Sequence, residues 1–92
     1  MQVAYQKTSN AQEAFQVVKE SLNEDVIKRF NVKGDIKYNE ENLSLNVKGK
    51  GFKVEMDFLD SYTEVNIELN FFLKPFKGKV MGQIKKLLLK VL

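Results

Sequence analysis

Residues 43–71 read LSLNVKGKGFKVEMDFLDSYTEVNIELNF, and the period of this stretch decides the fold. Leu43, Leu45 and Val47 alternate with Ser44, Asn46 and Lys48. Phe52, Val54, Met56 and Phe58 alternate with Lys53, Glu55 and Asp57. Val65, Ile67, Leu69 and Phe71 alternate with Glu64, Asn66, Glu68 and Asn70. A period of two puts apolar side chains on one face of a strand and polar ones on the other. The breaks between the runs, KGKG and DS, have the length and composition of tight turns, so the runs are expected to pair as antiparallel hairpins.

The register follows from the same pattern. A two-residue turn at Leu59-Asp60-Ser61-Tyr62 opposes Met56 with Val65, Val54 with Ile67 and Phe52 with Leu69. Apolar then faces apolar throughout, whereas a one-residue slip would turn every apolar group outward. On the outer face this register sets Lys53 against Glu68 and Asp57 against Glu64, one favourable pair and one unfavourable.

Upstream, the alternation extends from Val32 through Ile36 and Tyr38, which adds a further strand before the turn NEEN at 39–42. Before it lies a different period. Ala11, Phe15, Val18, Leu22, Val26 and Phe30 recur at steps of three and four, the spacing of one helix face. Ser9 or Asn10 supplies the cap, with Gln12 or Glu13 three residues on. One helix is predicted from about 10 to 30, with a weak point at Asn23 where it can bend. The first residues, QVAYQK, also alternate and predict a short edge strand.

The chain closes with NFFLKPFKGKVMGQIKKLLLKVL at 70–92. Strand alternation is predicted to run through Phe71, Lys74-Pro75 to make a turn, and the rest to be helix, since proline is tolerated in a first turn. On a helical wheel Phe76, Val80, Met81, Ile84, Leu87, Leu88, Val91 and Leu92 share one arc of about 160°. Lys79, Lys85, Lys86, Lys90 and Leu89 fall on the opposite side, and Gly78 and Gly82 share a face that allows close approach or bending. The apolar sheet face needs a cover, and both helices carry an apolar stripe. The expected fold is α+β in two layers: a four-stranded antiparallel meander, five-stranded if QVAYQK pairs, with both helices on one face, in the order (β)-α-β-β-β-β-α. Ninety-two residues make one domain, 1–92.

Composition removes several chemistries. Without cysteine there is no disulfide, thiolate metal site or cysteine nucleophile, and without histidine there is no imidazole base and little zinc chemistry. Ser9, Ser21, Ser44 and Ser61 therefore lack an activating histidine. The close acid pairs, Glu24-Asp25, Glu40-Glu41 and Glu55/Asp57, fall in predicted turns or on polar faces, where solvated carboxylates are the ordinary case. Gly49-Lys50-Gly51 lacks the spacing of a phosphate loop and suits a hairpin turn. The expectation is a protein without enzymatic activity, cofactor or metal. No run approaches the roughly 18 apolar residues that span a bilayer, and the polar start MQVAYQKTSN lacks the apolar core of a signal peptide. A cytoplasmic location is expected, in which the glycosylation pattern Asn42-Leu43-Ser44 is a coincidence.

Charge is the remaining signal. Residues 1–73 hold nine Lys/Arg and twelve Asp/Glu, a net of −3, whereas residues 74–92 hold six lysines and no acid, a net of +6. A lysine-rich, acid-free amphipathic helix suits a lipid surface, a polymer granule or an acidic protein. Lys79, Lys85, Lys86, Leu89 and Lys90 are the candidate contact residues, while the apolar arc is expected to be taken up by the sheet. Nucleic acid is a poor fit, because the open sheet face carries Glu55, Asp57, Glu64 and Glu68 and its aromatics, Tyr38, Phe52, Phe58 and Phe71, point inward by parity. The alternative expectation is an interaction module that forms a homo-oligomer by burying surplus apolar helix surface against its copy.

The order of these features resembles the small bacterial polyhydroxyalkanoic acid system proteins, also described as granule-region proteins. The matching stretches are SNAQEAFQVVKESLNEDVIKRFNV at 9–32, GDIKYNEENLSLNVKGKGFKVEM at 34–56 and VNIELNFFLKPFKGKVMGQIKKLLLKVL at 65–92. The chain departs from the family pattern at YQKTSN, where relatives often carry a His-Ser-Leu-like stretch, and at Leu69-Asn70, where they often show Leu-Gly. The resemblance implies an association with polyhydroxyalkanoate storage at granules and carries no catalytic residues. The order of sheet and closing helix also looks like a reduced helix-grip domain of the lipid-binding START-like type, a likeness of fold alone.

Overall fold

The computed structural model describes residues 1–23, 25 and 34–92. Strand β1 (Gln2–Ala4) precedes helix α1 (Ala11–Ser21), and strands β2 (Gly34–Asn39), β3 (Ser44–Gly49), β4 (Phe52–Phe58) and β5 (Tyr62–Leu69) follow. A short 3-10 turn (Lys74–Phe76) leads into the closing helix α2 (Lys77–Val91). The sheet is antiparallel in the order β1-β5-β4-β3-β2. Four strands form the expected meander, and QVAYQK contributes the fifth strand at the β5 edge.

The pairing of β4 with β5 has the register that apolar matching requires: Phe52 opposes Leu69, Val54 opposes Ile67 and Met56 opposes Val65. The Leu59 N–H donates to the Tyr62 carbonyl at 2.9 Å and closes the Asp60-Ser61 turn. Lys53 lies opposite Glu68, but its ammonium pairs with Glu55 on its own strand at 2.7 Å. Residues two apart share a strand face, so the carboxylate within the strand competes with the one across it. The Glu55 carboxylate beside it raises the Lys53 pKa.

One core lies between the sheet and both helices. From the sheet it takes Val3, Leu45, Val47, Val54, Met56, Phe58, Val65 and Ile67, all buried. Helix α1 adds Ala11, Ala14, Phe15 and Val18, with Leu22 just beyond its last turn. The rings of Phe15 and Phe58 meet edge to face at 5.5 Å, a geometry that adds about 1 kcal/mol to area burial. Thr63 is fully buried, and its hydroxyl donates to the Tyr5 oxygen at 3.1 Å, which satisfies the polar group.

Asn10 caps α1: its side chain accepts from the Glu13 N–H at 2.8 Å. The helix stops earlier than its apolar spacing predicts. Leu22 has φ −104° and ψ 82°, outside the helical region, so the break falls one residue before Asn23. Three contacts hold this end to β2 and the turn that follows it. The Tyr38 hydroxyl donates to the Leu22 carbonyl at 2.9 Å, the Lys19 ammonium sits 5.5 Å above the Tyr38 ring, and it reaches Glu40 at 2.6 Å. The predicted continuation to about residue 30, with Val26 and Phe30, lies outside the described residues, as does Val32.

Candidate functional site

The connection from β5 to α2 departs most from its expected form. Strand alternation predicts an inward Phe71, but β5 ends at Leu69 and Asn70 redirects the chain. The Leu73 N–H donates to the Asn70 side-chain oxygen at 3.0 Å, and the Lys74 N–H to the Asn70 carbonyl at 3.0 Å. Asparagine is a turn former because its short side chain takes a backbone N–H in this way. Beyond it parity no longer applies, and Phe71 and Phe72 stand 81% and 80% exposed. Asn70 also donates its own N–H to the Gly51 carbonyl at 2.8 Å, which fastens this tip to the β3–β4 hairpin. Asn70 is therefore a structural anchor.

Helix α2 is seated unevenly. At its end Leu88 and Leu92 are buried. The Leu92 oxygen accepts from the Gln6, Lys7 and Thr8 N–H groups at 2.6, 2.6 and 3.2 Å. These contacts satisfy a helix-end carbonyl that has no partner within the helix. The part before Leu88 is looser. Val80, Met81, Ile84 and Leu87 are half-buried, and Phe76 is 55% exposed. The sheet thus covers the apolar arc only in part, contrary to expectation.

The uncovered part faces a half-open cavity of about 170 Å³ between α2 and the sheet. Val54, Met56 and Leu69 form its floor, and Val80, Ile84 and Leu87 its roof. Leu73, Phe76 and Gln83 also line it, and Gln83 is the polar side chain among the described lining residues.

The predicted contact residues Lys79, Lys85, Lys86 and Lys90 are all exposed, and Leu89 is exposed with them. They lie along one helix and form a basic outer face. Lys7, which the sequence does not mark, joins it at the C-terminal end, where its ammonium donates to the Lys90 carbonyl at 2.8 Å. Gly78 and Gly82 face open space, so neither serves the close approach that their shared face allows. Among the described residues no group of three or more Asp and Glu is placed to hold a metal ion. Among the described residues no helix is long and apolar enough to cross a membrane.

The fold and this surface define a small two-layer α+β domain with an aromatic tip, a lysine-faced closing helix and an apolar cavity between them. Residues 2–92 match the family described as "Putative polyhydroxyalkanoic acid system protein", and the chain belongs to that family. No curated protein and no solved structure matches it.

Proposed function

We propose that this protein acts without catalysis, by attaching to the surface of polyhydroxyalkanoate granules in the cytoplasm. The exposed Phe71-Phe72 pair carries the proposal, because it leads directly into an acid-free helix with lysines along its outer side. Aromatic side chains that enter an apolar phase beside lysines that meet its anionic fringe are the two elements of interfacial binding. Family membership supplies the link to polyhydroxyalkanoate. The predicted lysine face takes the electrostatic part, and the aromatic tip adds the apolar part.

The test is partition of the purified chain onto polyhydroxyalkanoate particles and phosphatidylglycerol vesicles. The wild type is expected to sediment with both, and the double variant Phe71→Ser, Phe72→Ser to bind at least about tenfold more weakly, since each buried aromatic contributes about 1.5–3 kcal/mol. Equal partition of a folded double variant overturns the proposal. A wild type that stays in the supernatant as a stable dimer points instead to the tip as an interface between copies.

A further inference from the structure

We infer that the cavity beneath α2 is a binding site for the hydrocarbon end of a single acyl chain, with the carboxylate left at its mouth. The inference stands apart from granule attachment, because it concerns the inner side of α2 and a ligand in solution. Three observations converge on it. First, the size: at about 170 Å³ the space falls below the roughly 300 Å³ at which drug-sized sites begin. It compares instead with an apolar cavity of about 150 Å³ that admits benzene, so about six or seven carbon atoms fit.

Second, the lining. Val54, Met56 and Leu69 below and Val80, Ile84 and Leu87 above present hydrocarbon to the space. Such a cavity has little to offer water, which needs two to four polar partners. Third, the mouth. Phe76 and Gln83 line the cavity and are also exposed, so they mark where it reaches solvent. Lys74 and Lys77 lie within two residues of Phe76, and residues 69–92 carry no acid. A carboxylate at this mouth meets positive charge and an amide donor, whereas a cationic head would be repelled. An apolar interior with an anion-favouring rim specifies a monocarboxylate of medium length.

The experiment titrates hexanoate, octanoate and decanoate, each below its micelle concentration, into the full chain at low salt. Calorimetry reads the affinity, and methyl NMR signals of Val54, Val80 and Ile84 locate the ligand. Affinity is expected to rise about fourfold per added methylene, to level off once about seven carbons are enclosed, and to exceed that of 1-octanol. Val80→Phe, which fills the roof, is expected to weaken octanoate binding at least tenfold, and Ile84→Phe serves if the first variant fails to fold. The Phe71→Ser, Phe72→Ser variant is expected to bind octanoate as the wild type does while losing the vesicles, so the two sites fail separately. Unshifted Val54 and Ile84 methyls at saturating octanoate overturn the inference. So does undiminished binding by a folded cavity-filling variant, or affinity that climbs with chain length without levelling, the mark of adsorption on exposed surface.

Discussion

Phe71 and Phe72 meet edge to face, with ring centroids 5.9 Å apart and planes at 81°, at a tip where both rings remain open to solvent. Rings this exposed contribute little to the fold. Phe71→Ser with Phe72→Ser is expected to leave unfolding free energy within about 0.5 kcal/mol of the wild type. Urea denaturation checks this, and a larger loss would make the tip part of the core.

The lysine face predicts a salt-dependent component of binding. Changing Lys79, Lys85, Lys86 and Lys90 to Gln removes about 1 kcal/mol of attraction per lysine held near an anionic membrane. Binding to phosphatidylglycerol vesicles at low salt is expected to fall by at least about a hundredfold, and its salt dependence to flatten. Unchanged partition of the folded variant would remove the electrostatic part of the proposal.

Adjacent leucines on α2 separate the seated side from the open side. Leu88 is fully buried and Leu89 is 47% exposed. Leu88→Ala is expected to cost about 2–5 kcal/mol through lost packing and a residual cavity. Leu89→Ala should stay within about 0.5 kcal/mol. Chemical denaturation of the pair measures the orientation of the helix, and comparable losses would contradict it.

Two glycines predict changes of opposite sign. Gly51 has φ 85°, and an added Cβ would run into the Asn70 amide. Gly51→Ala is expected to destabilise by about 1–2 kcal/mol from the left-handed backbone alone. Gly82 lies inside α2 and faces open space. There Gly82→Ala is expected to stabilise by about 0.5–1 kcal/mol. Thermal melts resolve both, because 1 kcal/mol moves the midpoint of a domain this size by about 4–8 °C.

Stability is expected to fall at both pH extremes for identifiable reasons. The Lys19 ammonium, hydrogen-bonded to Glu40, holds that carboxyl below its ordinary 4.5. The folded state therefore binds this proton less readily than the unfolded chain, and the contribution is lost as pH drops below 4.5 through the folded value. Burial pushes the Tyr5 phenol above its ordinary 10.0, against the opposing hydrogen bond from Thr63. Its contribution is complete below 10.0 and is lost as pH climbs through the folded value. Tyr5→Phe should flatten the alkaline limb and Glu40→Gln the acid limb of a denaturation series. An unaltered limb would contradict the corresponding assignment.

Much of the architecture was legible in the sequence, because side-chain alternation has a period of two and only one register keeps every apolar row on the core side. Phe52 opposite Leu69 and Val54 opposite Ile67 are consequences of that arithmetic. The inner face of α1 was legible from its steps of three and four, and the charge imbalance that singles out residues 74–92 from a count of charged residues. The candidate surface was legible in part. The exposed lysines and Leu89 follow from the helical wheel. Phe71 did not, since parity holds only while a strand continues, and Asn70 ends it by taking backbone hydrogen bonds into its own turn.

Tertiary structure alone decided how far α2 lies down on the sheet. An amphipathic wheel states which side of a helix prefers to be buried, but not how much of that side finds a partner. Here the end of the helix is held by Leu88, Leu92 and the N–H groups of residues 6–8, more than eighty positions away in the chain. The beginning is held by a tip fastened to Gly51. The distance between those two attachments, set by contacts remote in sequence, leaves the cavity open and the aromatic rings in solvent.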